Sequence, residues 1–203
     1  MKGTLFIVSA PSGAGKTSLL KALVSADPLL DVSVSHTTRA KRSEEENGRD
    51  YYFTSANDFV RMIGEGAFLE HAQVFDYYYG TAETAVRELL DAGQDVVLEI
   101  DWQGARQVRK CVPNAVSIFI LPPSPQALHE RLSARGQDSE EVIARRMRDA
   151  KNEMSHYAEY DYLVVNDDFS SALKELDAIV RGLRLRQSIQ SERLQSQLSA
   201  LLA

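Results

Sequence analysis

Cysteine is close to absent from this chain. Cys111 stands alone among 203 residues, which excludes an internal disulfide, and nothing near it suggests a metal cluster or a paired thiol. Long hydrophobic runs are missing as well. The apolar stretch Leu5-Phe6-Ile7-Val8 is too short for a secretory leader, and no later run approaches a membrane span. Positive charge is not in surplus: 23 Lys and Arg against 29 Asp and Glu leave a net charge of -6, which disfavours a broad nucleic-acid footprint. Repeats and low-complexity segments are lacking. What remains is 44% hydrophobic and 26% charged, long enough for one substantial core with small insertions. Small-molecule partners, without nucleic acid or membrane, and a cytoplasmic setting are the expectation.

Four apolar runs, Leu5 to Val8, Val96 to Ile100, Val116 to Leu121 and Tyr162 to Val165, read as strands buried on both faces, hence as a parallel sheet. Helical patterns lie between them at Lys16 to Ser25, Thr84 to Ala92, Gln103 to Lys110 and Pro125 to Ala134. Strand alternating with helix is the signature of a doubly wound α/β core. A last helical pattern starts near Ser170 with Leu173, Leu176, Ile179, Val180 and Leu183. Its extension through Leu194, Leu198 and Leu201 reads either as a frayed polar end or as a face for a second copy of the chain.

Two segments break the alternation. From about Ser33 to Gly80 the chain is rich in Arg, Glu and Tyr, with short alternating pieces and one helix signal, where Ser55 caps and Asp58 closes a box-like cap before Phe59, Met62 and Ile63. This reads as a small β-rich insertion. From about Ser133 to Tyr157, a capping-box-like start at Asp138 and Glu141 leads into a helix with Ile143, Met147, Ala150 and Met154 on one face and Arg145, Arg146 and Arg148 on the other. A helical insertion with that much positive charge suits a lid over phosphates.

Between the first apolar run and the first helix lies Ala10-Pro11-Ser12-Gly13-Ala14-Gly15-Lys16-Thr17. Its spacing is that of a phosphate-binding loop with Ala10 in place of the first glycine. A buried strand feeding a glycine-containing turn that opens a helix points N–H groups and the positive end of the helix dipole at one spot. Lys16 reaches terminal phosphates there, and the Thr17 hydroxyl suits a magnesium ion.

Taken with Ser35-His36-Thr37-Thr38-Arg39-Ala40-Lys41-Arg42, Asn47-Gly48-Arg49-Asp50-Tyr51, Phe68-Leu69-Glu70, Tyr78-Tyr79-Gly80-Thr81 and Glu99-Ile100-Asp101, the loop makes the chain resemble the guanylate kinases over nearly its whole length. The resemblance implies one domain: a P-loop α/β core with a parallel sheet flanked by helices (1–33, 82–125 and 157–203), a mixed β-rich GMP-binding insertion (34–81) and a helical lid (126–156). It implies transfer of the terminal phosphate of ATP to GMP, giving ADP and GDP, with Mg2+. By motif position ATP falls to Ala10, Pro11, Ser12, Gly13, Ala14, Gly15, Lys16 and Thr17, with Asn166 near the adenine and Thr17 on the metal. GMP falls to Ser35, Arg39, Arg42, Tyr51, Glu70, Tyr79, Thr81 and Asp101. Lys16, Arg39, Arg135, Arg146 and Asp101 carry the catalytic roles.

These assignments make chemical sense. Arg39 and Arg42, three apart, present two planar forks to one phosphate, and Tyr51 and Tyr79 add phenolic donors. Guanine offers N1–H and an exocyclic amine that the Glu70 carboxylate can accept together, whereas adenine sets a lone pair against it. Asp101 ends a strand, where ligands of parallel sheets gather, placed to contact GMP or to order the water around magnesium, the resemblance favouring the nucleotide, with Glu99 as an alternative two residues deeper on the same face. Each residue also has a plainer reading: a solvated charge run for the arginines, packing for the tyrosines, a loop cap for Asn166. Trp102 reads as packing under the site, and His36, His71, His129 and His156 show neither metal spacing nor a nucleophile to serve. A non-catalytic interaction module, a sugar-phosphate kinase and a GTPase are the rival classes. The intact Gly15-Lys16-Thr17, the set Glu70, Ser35 and Thr81, and the lack of a guanine-reading motif for the donor argue against them in turn.

Overall fold

The computed structural model describes residues 3–74, 76–134 and 139–203. In chain order, β1 (Leu5–Ser9), α1 (Lys16–Ala26) and β2 (Leu30–Val32) come first. A second group follows, with β3 (His36–Thr37), β4 (Tyr52–Phe53), α2 (Ala56–Gly64), β5 (Phe68–Val74) and β6 (Tyr77–Ala82). The alternation resumes with α3 (Glu83–Asp91), β7 (Asp95–Glu99), α4 (Trp102–Cys111), β8 (Val116–Leu121) and α5 (Pro125–Ser133). After α6 (Glu140–Met154) come β9 (Tyr162–Val165), α7 (Phe169–Arg184), α8 (Gln187–Arg193) and α9 (Gln195–Leu201).

The first sheet is fully parallel, in the order β2-β7-β1-β8-β9. All five residues of central β1 are buried. Successive side chains of a strand point to opposite faces, so Phe6 and Val8 join a cluster with Leu19, Leu20 and Leu23 of α1 and Leu176 and Val180 of α7. Leu5 and Ile7 join the opposite cluster with Val86 of α3 and Ala105 and Val108 of α4. Two expectations need correction here. The sheet has a fifth strand, β2, whose three residues include only one buried side chain, Leu30, too little to register as an apolar run. The run at Tyr162 is not buried on both faces, because β9 is an edge strand on which Leu163 and Val165 are each 48% exposed.

The insertion forms the second sheet, in the order β4-β3-β6-β5, with α2 packed on it through Phe59 stacked on Phe68 and Tyr78. Ser55 caps α2 by accepting from the Asp58 amide, and Asp58 returns the contact by accepting from the Ser55 hydroxyl. The lid helix α6 starts one residue later than read from sequence: Ser139 is its cap, accepting from the Val142 amide, and Asp138 lies outside the described residues. The tail is not one long helix. Arg184 turns back to bridge Asp27 and Asp95, both at 2.6 Å, and past Leu183 no residue of α8 or α9 is buried, so the chain breaks into two short helices. Among the described residues no helix is long and apolar enough to cross a membrane.

Candidate active site

The loop after β1 is built around left-handed glycines: Gly13 at φ 92° and Gly15 at φ 91°. Gly13 lies flat against Leu128 and Leu132 of α5, and Gly15 against the Asn166 amide, so neither position has room for a side chain. Gly15 is also the N-cap of α1 and offers no side-chain acceptor, and the first turn holds no acidic residue. The helix therefore presents unpaired N–H groups and its positive end to an incoming anion. Lys16 donates to the Ile100 carbonyl at 3.4 Å and stands 4.0 Å from Glu99. Thr17 donates its hydroxyl proton to Glu99 at 2.5 Å.

Asn166, expected near the adenine, braces the loop from the end of β9, its amide donating to the Ala14 carbonyl at 2.7 Å. Asp101 is the N-cap of α4, with one oxygen accepting from the Gly104 amide and the other from the Gln103 side chain, both at 2.9 Å. These two contacts aim α4. Glu99, held as the alternative, is the carboxylate that touches Thr17.

On the insertion side Arg39 makes a fork-to-fork pair with Glu45 at 2.6 and 3.0 Å, and the Arg42 amide donates to the same carboxylate at 2.8 Å. The paired carboxylate raises the pKa of Arg39, with Tyr79 adding to the effect. Tyr51 and Tyr79 meet edge to face at 5.9 Å, and the Arg39 guanidinium lies 5.5 Å from the Tyr51 ring centre. Burial pushes the Tyr51 phenol up to about 12, so it stays a proton donor. The Arg42 side chain is exposed, and Ser35 receives a backbone hydrogen bond from Tyr52 at 2.9 Å.

Glu70 is 4% exposed. One carboxylate oxygen accepts from the Thr81 hydroxyl at 2.6 Å, the two residues facing each other across β5 and β6. The other oxygen lies against Gly104, where a Cβ would collide with it. Burial lifts its pKa to about 7; Thr81 and Lys16 pull it down and Asp101 pushes it up. Lys16 and Asp101 of the core thus lie close enough to Glu70 of the insertion to act on its charge.

Arg146 sits half-buried on α6, two helical turns before Glu153. Arg135, expected beside it, lies outside the described residues. Trp102 packs within the protein: its ring lies 3.8 Å from that of His156, with Arg106 on it at 4.7 Å. Glu153, which no motif marks, reaches the loop and accepts from the Ser12 amide at 3.3 Å. It shares a cleft of about 300 Å3 with Asp101, Arg145 and Asp149. A larger cavity, about 1020 Å3, lies at the opposite end of the strands beside Leu5, Val116, Arg87 and Ile189, and none of these site groups lines it.

A protein-family model described as guanylate kinase matches residues 2–183. A guanylate kinase of Yersinia pestis is 58% identical over 205 residues, covering 100% of this chain and 99% of that protein. One of Methylococcus capsulatus is 62% identical over 193 residues, covering 95% of each. The crystal structure of a guanylate kinase from Anaplasma phagocytophilum superposes with a TM-score of 0.78 at 33% identity, covering 97% of this chain and 96% of that one. A P-loop core carrying a mixed-sheet insertion, together with likeness along the whole length, has one reading: the chain belongs to the guanylate kinase family.

Proposed function

We propose that the protein transfers the terminal phosphate of ATP to GMP, giving ADP and GDP, in the cleft between the phosphate loop and the insertion. The observation that carries this reading is Glu70: a buried carboxylate, oriented by Thr81 and within electrostatic reach of Lys16. Guanine fills it with two N–H donors, and a base without them leaves a buried charge unpaired, which such sites reject by roughly 10⁴ or more. Arg39, Arg42, Tyr51 and Tyr79 then hold the acceptor phosphate, where Glu45 now occupies Arg39. The loop amides, Lys16 and the lid arginines Arg135 and Arg146 hold the donor. In the transfer the bond from the terminal phosphorus to ADP breaks as a GMP phosphate oxygen bonds to it, and catalysis is mainly alignment and charge neutralisation.

The residues present fit Mg2+. The Thr17 hydroxyl and the Glu99 carboxylate beside it are hard oxygen donors, and this ion takes few protein ligands while keeping water and phosphate oxygens. When bound it supplies charge neutralisation on the phosphates. Thr17 holds it, and Glu99 orients the Thr17 hydroxyl.

The division into core, insertion (34–81) and lid (126–156) belongs to the same proposal. Leu128 and Leu132 bury against Gly13, so α5 anchors the lid and its movement falls to α6. Exposed Leu194, Leu198 and Leu201 favour self-association through the tail, and a cytoplasmic setting suits the two substrates. The test is ADP formation from ATP with GMP, AMP, CMP, UMP and sugar phosphates offered in turn. Turnover with GMP far above the rest is expected; no GMP-dependent turnover overturns the reading.

A further inference from the structure

One amide of the phosphate loop already has an acceptor, and it is the protein's own. Glu153 lies in the last turn of α6, and its carboxylate accepts from the Ser12 amide across 141 residues of sequence. The packing of α6 does not require it, since Ile143, Met147, Ala150 and Met154 make the apolar contact with α5. Its surroundings are unfavourable for a negative charge. Burial, Asp101 and Asp149 all raise its pKa, to about 7, against the opposing pull of Lys16 and the Ser12 amide. At 3.3 Å the hydrogen bond is longer than the 2.7–2.9 Å or so of a strong charge-assisted one, so it can be exchanged for a better partner. A polyphosphate brings more negative charge to the same amide and lysine.

We propose that Glu153 is a latch: it holds the lid helix on the empty phosphate loop and yields the Ser12 amide and Lys16 to the nucleotide's phosphates, so that donor binding and lid release are one event. This rests on residues 10–17 being the donor phosphate site. Release of the last turn of α6 frees the helix to turn and carry Arg146, on the same face, toward the phosphates. Because coupling between two binding events is reciprocal, weakening the latch must tighten nucleotide binding. That makes Glu153 a positioning residue whose removal improves one binding step.

The experiment is ADP titration by calorimetry, without GMP, on the wild type, Glu153→Gln and Glu153→Ala, with fluorescence in parallel. Trp102 is the chain's single tryptophan, and its stack on His156, just past the end of α6, makes its emission a reporter of the latch. Both variants are expected to bind ADP about tenfold tighter, as removal of one like charge at a partly buried site implies. Their nucleotide-free emission should match that of the ADP-loaded wild type. Unchanged or weaker ADP binding in the folded variants, as a merely structural carboxylate would give, overturns the latch. In the wild type, inorganic pyrophosphate alone should shift Trp102 emission, and no shift overturns the latch even if neither variant folds. A wild type that binds no ADP overturns the donor-site reading itself, and the latch with it.

Discussion

At the scale of single residues, Glu70 is the side chain whose charge has been made negotiable. Its pKa rises from 4.5 to about 7 on folding, so the native state favours the protonated acid more than the unfolded chain does. The stability this gives is fully present below 4.5 and is lost as pH rises through about 7. Glu153, raised to about 7 by the same cause, adds a second portion over the same window. The melting temperature of the nucleotide-free protein should therefore fall between pH 4.5 and about 7, and Glu70→Gln should remove one portion of that slope. Acceptance of two guanine donors requires the ionised form, so GMP affinity should rise as pH passes about 7, beyond what titration of the GMP phosphate explains. Calorimetry against pH checks this: Glu70→Gln, an amide with one donor side turned to guanine, should lose GMP affinity by roughly 10² or more and lose this part of the pH dependence.

At the scale of elements, α4 is where the parallel core and the second sheet meet. Ala105 and Val108 point into the core, while Trp102, Arg106 and Arg109 gather His156 and Glu159 beyond α6, and Arg106 chiefly drives the Glu159 carboxyl down to about 2. Gly104 and Gln107 face β5. The Gln107 amide donates to the His71 carbonyl at 2.7 Å and accepts from the His71 N–H at 3.2 Å, acting as one rung of an extra strand. Gln107→Ala should cost about 2 kcal/mol, because two backbone groups at a sheet edge lose their partner. It should also raise KM for GMP more than KM for ATP, since Glu70 is the next residue on β5; urea melts and steady-state kinetics separate the two effects. Sequence could not announce this clamp. The strand–loop–helix unit of β1 and α1 and the β8 run were legible because local order and spacing carry them, whereas Arg39, Glu70 and Thr81 stood out only through the family resemblance. Gln107 on His71, Asn166 on Ala14 and Glu153 on Ser12 are side-chain-to-backbone contacts between remote segments, and such contacts leave no periodicity or spacing to read. The two-residue strands β3 and β4 are too short for alternation to show, and β2 and β9 were misread because edge strands bury only part of their surface.

At the scale of the whole molecule, the strand order matters more than the strand count. Central β1 pairs with β7 on one side, Val8 against Glu99, and with β8 on the other, Ser9 against Phe119. Neither neighbour is close in sequence, because the whole insertion stands between β1 and β7. A fragment ending at Gln94 keeps β1, α1 and the second sheet yet lacks both of β1's partners. It should show no cooperative thermal transition and should be cut by protease along β1, whereas protection equal to that of the full chain would mean the insertion supports β1 unaided. During synthesis the consequence is a wait. At typical rates of roughly 5–20 residues per second, Leu5 to Val8 stay unpaired for roughly 5–20 seconds before β7 is made. The run that ends as the best protected in the molecule is until then an apolar segment open to chaperones, and the phosphate loop attached to it takes shape no earlier.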